Sequence, residues 1–304
     1  MKREVVVIAF VGVFILNQLA FAAMNSTNYQ IKWDTVSTGG ADDMSSASYQ
    51  LRATGGNQAA GASESATYQM SAGYRAGIYD QVIRMDIYIQ NKATGVVATG
   101  ISGATVTVDP SGFSVDEFVI IVQDDGLSQI TGIGQIISLG VDSITLDELK
   151  YGSSAPVIDG TNDYVYHLNS SSLNLGEILV GTPGYGVIGL NATADITNGY
   201  TVQLYEDGNF RRGGSSAVTI DDVFDGQVSA VWEEYGAISS DTTLANSTFD
   251  TQDSAITSDF QEIVSESVVS FESRNYLTIK AGANGNTAGG DYGHALSFII
   301  SGNY

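Results

Sequence analysis

The stretch that decides the fold runs from Ala192 to Asn209 and reads Ala-Thr-Ala-Asp-Ile-Thr-Asn-Gly-Tyr-Thr-Val-Gln-Leu-Tyr-Glu-Asp-Gly-Asn. Apolar and polar residues alternate before Asn198-Gly199 and again after it. Alternation with a period of two is typical of a strand with one buried face. Asn-Gly between two such runs is typical of a type I′ turn, whose central residues both need φ > 0. The stretch therefore predicts a β-hairpin in an antiparallel sheet, with a second turn at 206–209.

The rest of the C-terminal half repeats this strand-and-turn pattern. Tyr164–Leu168, Ser216–Ile220, Gly226–Trp232 and Tyr292–Ser301 are among the segments that we predict to be strands. About eight short strands over residues 151–304 are typical of one antiparallel sandwich. The sequence predicts an all-β chain whose C-terminal domain, 151–304, is an immunoglobulin-like antiparallel β-sandwich.

Residues 81–150 predict a small β-subdomain, inserted in the sandwich or adjacent to it. Gln81–Gln90 alternates cleanly, and Phe118–Val122 is a short apolar run bounded by turn residues. Several short strands separated by turn residues are typical of a small sheet or barrel. We assign residues 81–90 either to this subdomain or to the sandwich.

The N-terminus predicts a signal peptide over residues 1–22. Lys2 and Arg3 precede the apolar run Val5–Leu16, and Ala20-Phe21-Ala22 has the small-x-small pattern of a cleavage site. The alternative is an uncleaved anchor, but the run is short for the roughly 20 residues that span a bilayer. We expect no transmembrane span after cleavage. The chain has no Cys, and an exported protein without disulfides is more typical of a bacterial envelope than of small secreted eukaryotic domains.

A Tyr-Gln repeat occupies residues 23–80. The segment Ser26–Ile31 recurs at Ser46–Leu51 and at Ser65–Met70. A periodic unit of this size needs a neighbour to bury its apolar face, so the repeat either packs as a small meander or attaches the protein to an assembly. The candidate ligand or assembly residues are Tyr29, Tyr49 and Tyr68, and in a sugar-binding reading also Tyr74.

The net charge of −22 makes nucleic acid and anionic lipid poor partners. Such a charge serves solubility, or it serves divalent cations, since Ca²⁺ prefers carboxylate oxygens. The densest acidic cluster is Asp221-Asp222-Val223-Phe224-Asp225-Gly226, and it makes Asp221, Asp222 and Asp225 a candidate calcium site. It departs from the EF-hand loop because Val223 occupies the third position. The alternative is an ordinary acidic turn.

Little in the sequence points to catalysis. The absence of Cys excludes thiol chemistry, and His167 and His294 are the only histidines. A glycosidase would need two carboxylates across a cleft, for which the acidic residues between Asp221 and Glu234 are candidates. We expect the protein not to be an enzyme.

Three segments of the C-terminal half resemble a known family. Leu175-Gly176, Thr197–Val202 and the closing 288–300 segment are similar to the β-sandwich domain of WxL-like secreted bacterial cell-surface proteins. The resemblance covers about 164–304 and implies a sandwich at the cell surface. The Trp-x-Leu motif is absent, since Asp-Thr follows Trp33 and Glu-Glu follows Trp232. The resemblance therefore carries over no binding residue.

These observations predict a non-catalytic, exported β protein of the bacterial envelope or cell surface, with a structural or adhesive role. Its expected partners are a cell-wall or surface polymer, other envelope proteins, or further copies of itself. The alternatives are a carbohydrate-binding module and a secreted hydrolase that uses paired carboxylates.

Overall fold

The structure, a computed structural model, describes residues 82–213 and 218–303 together with four earlier strands. The chain divides into two compact units, Met1–Gln81 and Val82–Tyr304. The signal peptide, the predicted site residues Tyr29, Tyr49 and Tyr68, and Tyr74 lie outside the described residues.

The first unit contains two pairs of antiparallel strands. They are β1 (Gly39–Ser45) with β2 (Gln50–Gly55), and β3 (Gly61–Glu64) with β4 (Gln69–Ala72). β2 begins at Gln50 and β4 at Gln69, which are equivalent positions in two copies of the Tyr-Gln repeat.

In the second unit, the described residues form strands and two short 3-10 helices, with no α-helix among them. The elements are β5 (Ile83–Ile89), η1 (Lys92–Thr94), β6 (Val96–Ser102), β7 (Thr105–Val108), η2 (Pro110–Gly112), β8 (Phe118–Gln123), β9 (Ile130–Leu139), β10 (Ser143–Leu146), β11 (Lys150–Tyr151), β12 (Tyr164–His167), β13 (Gly184–Ala194), β14 (Tyr200–Glu206), β15 (Arg211–Arg212), β16 (Glu234–Ser239), β17 (Gln261–Glu266), β18 (Ser270–Gly282), β19 (Tyr292–Gly293) and β20 (Leu296–Gly302).

The largest sheet has seven antiparallel strands in the order β10-β7-β6-β12-β8-β9-β11. The position of β8 inside this sheet explains why its sequence is a continuous apolar run rather than an alternating one. Val119 and Ile121 pack into a core on one face, whereas Ile120 and Val122 pack into a second core on the other. A strand that is buried on both faces needs apolar residues at every position.

Two further antiparallel sheets share one core. Their orders are β16-β18-β13-β5 and β17-β14-β20. Leu190 and Leu277 from the first sheet lie in the same buried cluster as Val202, Leu204 and Val264 from the second. The all-β, antiparallel prediction is confirmed. β5 is an outer strand of the first sheet and β20 is an outer strand of the second. These two strands lie close to each other.

The predicted hairpin at Asn198-Gly199 is wrong. β13 pairs with β18 and β5, whereas β14 pairs with β17 and β20, so the two strands belong to different sheets. The chain passes from one sheet to the other at this turn. The alternating pattern was compatible with both arrangements, because it reports a buried face and does not specify the paired strand.

The turn geometry also differs from type I′. The backbone N–H of Gly199 donates to the carbonyl of Ile196 at 2.8 Å, which makes Thr197 and Asn198 the central residues. Of these four residues only Gly199 has a positive φ, +73°. A Cβ at Gly199 would lie 2.0 Å from the carbonyl oxygen of Glu266 at the end of β17. Glycine is therefore required both by its backbone conformation and by close contact with the neighbouring strand.

A third buried cluster lies where the seven-stranded sheet meets β13 and β18. It includes Ile120, Ile133 and Val187, together with Tyr276. The Tyr276 hydroxyl donates to the carbonyl of Thr131 at 2.6 Å. This packing joins the seven-stranded sheet to the outer face of the four-stranded sheet within the second unit.

Several strand boundaries differ from the sequence predictions. β12, which we assigned to the C-terminal domain, pairs with β6 and β8 of the seven-stranded sheet. β5 pairs with β13, as one of our two assignments for residues 81–90 expects. Gly226–Trp232 contains no strand, and the chain runs there as a loop up to β16. Tyr292–Ser301 is broken between β19 and β20, at His294 and Ala295.

Candidate functional site

A cavity of about 1090 Å³ is lined by the outer strands β5 and β20. Ile87 and Ile89 contribute one wall, and Leu296 and Phe298 contribute another. The segments 172–180 and 283–291 supply most of the remaining lining. Large cavities of this kind, with apolar walls and a few converging polar groups, are the usual form of ligand sites.

One end of the cavity is aromatic. Phe210 and Tyr235 stack with ring centroids 4.8 Å apart, and Tyr292 lies 6.0 Å from Phe210. All three rings line the cavity. Tyr235 lies on β16 and Tyr292 lies on β19. Phe210 directly precedes β15, the short strand that pairs with β19.

A buried polar network supports this aromatic end. The Tyr235 hydroxyl lies 2.6 Å from Nε2 of His294. Nδ1 of the same ring lies 3.0 Å from a carboxylate oxygen of Glu206 and 3.1 Å from the carbonyl of Gly208. With hydrogen on Nδ1, the ring donates toward Gly208 and Glu206 and accepts from Tyr235. His294 therefore connects Glu206, the last residue of β14, to Tyr235 on β16.

The surroundings of this network carry negative charge. Burial raises the pKa of Asp222, and the neighbouring carboxylates Glu206 and Asp221 raise it further. Burial also raises the pKa of the Tyr235 hydroxyl well above its ordinary value, with Glu206 and Asp222 adding to the effect. The hydroxyl is thus a neutral donor at physiological pH.

A second exposed feature is the apolar turn surface, which we define as Leu179, Val180, Val231 and Trp232. Their exposed fractions are 51%, 56%, 54% and 60%. A hydrogen bond of 2.8 Å from Gly181 to the carbonyl of Ala230 holds the two turns together. The bond brings the two turns together, and several large exposed apolar residues on neighbouring turns are typical of an interaction surface.

A polar depression adjoins Trp232. Its lining includes Trp232, Asp225, Gln227, Asp253 and Lys280. Lys280 and Asp253 form a buried ion pair with a separation of 2.7 Å. The second carboxylate oxygen of Asp253 accepts from the backbone of Val228 at 2.9 Å, which fixes the loop that carries Trp232. An exposed aromatic ring therefore lies beside fixed polar groups.

The candidate calcium residues Asp221, Asp222 and Asp225 have different surroundings. Asp221 is exposed, and Asp222 lies in the field of Glu206. Asp225 accepts a hydrogen bond of 3.0 Å from the backbone of Gln227, as in an ordinary Asx turn. In the part of the chain that the structure describes, no three His, Asp or Glu side chains are arranged to hold a metal ion. The calcium site stays a prediction.

Two of the carboxylates considered for hydrolysis, Glu233 and Glu234, have different hydrogen-bond partners. Glu233 accepts a hydrogen bond from the Thr287 hydroxyl, whereas Glu234 is buried and accepts from the backbone of Ser229 at 3.0 Å. Burial raises the pKa of Glu234, and the Ser229 hydrogen bond opposes this shift. Each of these two side chains is engaged by a different loop.

The second histidine lies in the seven-stranded sheet. His167 contacts the Glu117 carboxylate through Nδ1 and stacks on Phe113 with ring centroids 4.5 Å apart. The side chain is buried, so this pair closes one end of the core around β12. Both histidines thus pair with a glutamate that is distant in sequence, and no local pattern indicates either pairing.

The sequence predicts neither the aromatic end of the cavity nor the apolar turn surface. The pattern predicts a strand at Trp232, although the preceding Asp225-Gly226 turn favours a loop there. The sequence places His294 on a predicted strand and makes it one of two histidines available for chemistry, but it does not indicate the contacts with Tyr235 and Glu206. No helix among the described residues is long and apolar enough to cross a membrane. Comparisons with protein-family models, with curated proteins and with solved structures find no match to this chain.

Proposed function

We propose that this chain is a non-catalytic, exported β protein of the bacterial envelope with a structural or adhesive role. The observation that carries the proposal is the apolar turn surface, because four large apolar side chains are held in solvent by two hydrogen-bonded turns. Burying such a surface against a partner would remove apolar area from water, and Trp is the residue most often found at binding hot spots. The partner we expect there is another protein of the envelope.

The proposal includes the finer description of the fold. Two antiparallel sheets that share a core support an immunoglobulin-like sandwich, as the resemblance to WxL-like proteins implies. The chain passes from one sheet to the other at Asn198-Gly199. Such a connection between sheets is expected in a sandwich, whereas a hairpin joins two strands of the same sheet. The predicted signal peptide over 1–22 supports export.

Cell fractionation tests the export. Antibodies against the full chain should detect it in the envelope or medium of the cells that produce it, and protease added to intact cells should degrade it if it is on the surface. A cytoplasmic enzyme serves as the control for lysis. Protein found only in the cytoplasm with residues 1–22 still attached would overturn the proposal.

A carbohydrate-binding module is the second candidate, and Trp232 favours it. The indole is exposed beside the polar depression, and Asp225 and Gln227 place hydrogen-bonding groups next to it. An aromatic face with adjacent polar groups can hold a sugar ring by its apolar face and its hydroxyls. A glycan array with the full chain and Trp232→Ala distinguishes the candidates. Binding to a defined glycan that Trp232→Ala abolishes would favour this module, and no binding would favour a protein partner.

A further inference from the structure

The cavity between β5 and β20 carries negative charge at its surface. Glu177 and Asp291 line it, and both are exposed. Among the described residues that line the cavity there is no Lys or Arg. Arg212 lies just outside the lining, where its guanidinium donates to the carbonyl of Gly289 at 3.1 Å. Glu177 and Asp291 together outweigh this single positive charge, and the net charge of −22 adds to theirs.

Buried carboxylates extend this charge behind the aromatic end. An oxygen of Glu206 and an oxygen of Asp222 are buried without a hydrogen-bond donor in the described structure. Nδ1 of His294 lies within 3.0 Å of that Glu206 oxygen, but the Gly208 carbonyl competes for its hydrogen. A buried carboxylate with incomplete hydrogen bonding is stabilised by a nearby cation.

The aromatic rings favour the same charge. Phe210, Tyr235 and Tyr292 line one end of the cavity, and the faces of such rings carry negative electrostatic potential. Phe210 and Tyr235 are buried and stacked on each other, so the half-buried Tyr292 is the ring that can present a face to a ligand. Ring faces and carboxylates together form the usual environment for organic ammonium groups. The opposite walls, with Ile87, Ile188 and Leu296, offer apolar surface to the body of a ligand.

We propose that this cavity binds an organic cation with an apolar body, such as an ammonium-bearing amphiphile. The cationic group lies at the aromatic end, near Tyr292 and the carboxylates. The apolar body lies along the walls that contain Ile87, Ile188 and Leu296. An anionic amphiphile is opposed by the same carboxylates. Leu179 and Val180, two of the four residues of the apolar turn surface, also line this cavity, whereas Val231 and Trp232 do not.

Titration calorimetry with the full chain and three probes of equal chain length tests the charge preference. The probes are decyltrimethylammonium, decyl sulfate and decyl maltoside, each below its micelle concentration. We expect the ammonium probe to bind about tenfold more tightly than the sulfate, as two nearby surface carboxylates allow. Equal affinity for the three probes, tighter binding of the sulfate, or no binding of the ammonium probe would each overturn the proposal.

Matched variants test the position of the cation. Glu177→Gln with Asp291→Asn removes two lining charges, whereas Asp142→Asn with Asp259→Asn removes two exposed charges that do not line the cavity. Only the first pair should weaken binding of the ammonium probe. Tyr292→Leu should weaken it by about fivefold, whereas Tyr292→Phe, which keeps the ring, should not. The proposed position would be contradicted if both pairs of charge variants lowered the affinity for the ammonium probe equally. It would also be contradicted if Tyr292→Leu and Tyr292→Phe lowered that affinity equally.

Discussion

The guanidinium of Arg274 forms two hydrogen bonds, of 2.6 and 2.5 Å, with the carboxylate of Asp147. Arg274 lies on β18, and Asp147 follows β10, so the ion pair joins the four-stranded sheet to the seven-stranded sheet. The arginine side chain is 2% exposed, and it also lies over the ring of Phe118 at 5.0 Å. A buried guanidinium needs this partner, because an unpaired charge away from water is strongly destabilising.

Asp147→Asn should lower the free energy of unfolding by about 3 kcal/mol, since it leaves Arg274 buried without its main partner. Urea denaturation followed by circular dichroism measures the change. Asp142→Asn, at an exposed position a few residues earlier, is the control and should change stability by less than about 0.5 kcal/mol. Equal small losses in both variants would show that the pair does not hold the two sheets together.

The same pair predicts a loss of stability in acid. Burial acts to raise the pKa of Asp147, but hydrogen bonds from Arg274, Glu148 and Gln135 outweigh it and lower the pKa below its usual value. The ionised carboxylate therefore stabilises the fold above the unfolded pKa of about 4, and this contribution is lost as the pH falls through the lower folded value. The stability difference between wild type and Asp147→Asn should be constant near neutrality and shrink below about pH 4. A difference independent of pH would contradict this.

Asp222 should behave in the opposite way. Its pKa is raised by burial and by the carboxylates Glu206 and Asp221, so the ionised form destabilises the folded state above that pKa. Asp222→Asn should raise the melting temperature at pH 7, and the gain should disappear at acidic pH, where the wild-type carboxyl is protonated. Differential scanning calorimetry across this pH range measures it. A lower melting temperature at pH 7 would mean that the carboxylate has a stabilising partner.

Gly199→Ala tests the crossing between the two sheets. The backbone at this position has a positive φ, and the Cβ of the introduced alanine would lie 2.0 Å from the Glu266 carbonyl oxygen. Gly103 also has a positive φ but has no atom within 4 Å of the added Cβ, which makes Gly103→Ala the matched control. The control should lose about 1 kcal/mol from backbone strain, and Gly199→Ala should lose at least about 2 kcal/mol more. Similar losses would show that contact with β17 is unimportant.

Alternation was sufficient to predict the fold class, because a strand with one buried and one exposed face leaves a period-two pattern. It could not assign strands to sheets. Ala192–Ala194 and the segment from Tyr200 onward alternate in the same way whether they pair with each other or with distant strands. The assignment depends on β18 and β17, which lie more than 50 residues later, and on the close approach of Gly199 to Glu266.

The cavity could not be predicted for a related reason. His294, Glu206 and Tyr235 come from three separate segments, and none has a neighbour in sequence that indicates the network. Trp232 was more accessible to prediction, since a Trp followed by two glutamates is a poor candidate for a buried strand. The apolar residues of Gly226–Trp232 nevertheless favour a strand when the segment is taken as one more member of the strand series.

The most direct test of the proposed adhesive role is binding of the purified full chain to isolated envelopes of the cells that produce it. The account predicts saturable binding that Trp232→Ala weakens by roughly thirtyfold, the scale of a hot-spot residue, without lowering the melting temperature. Val141→Ala, at a side chain that is 90% exposed elsewhere, should bind as the wild type does. Wild-type affinity in Trp232→Ala, or no binding by the wild type, would contradict the account.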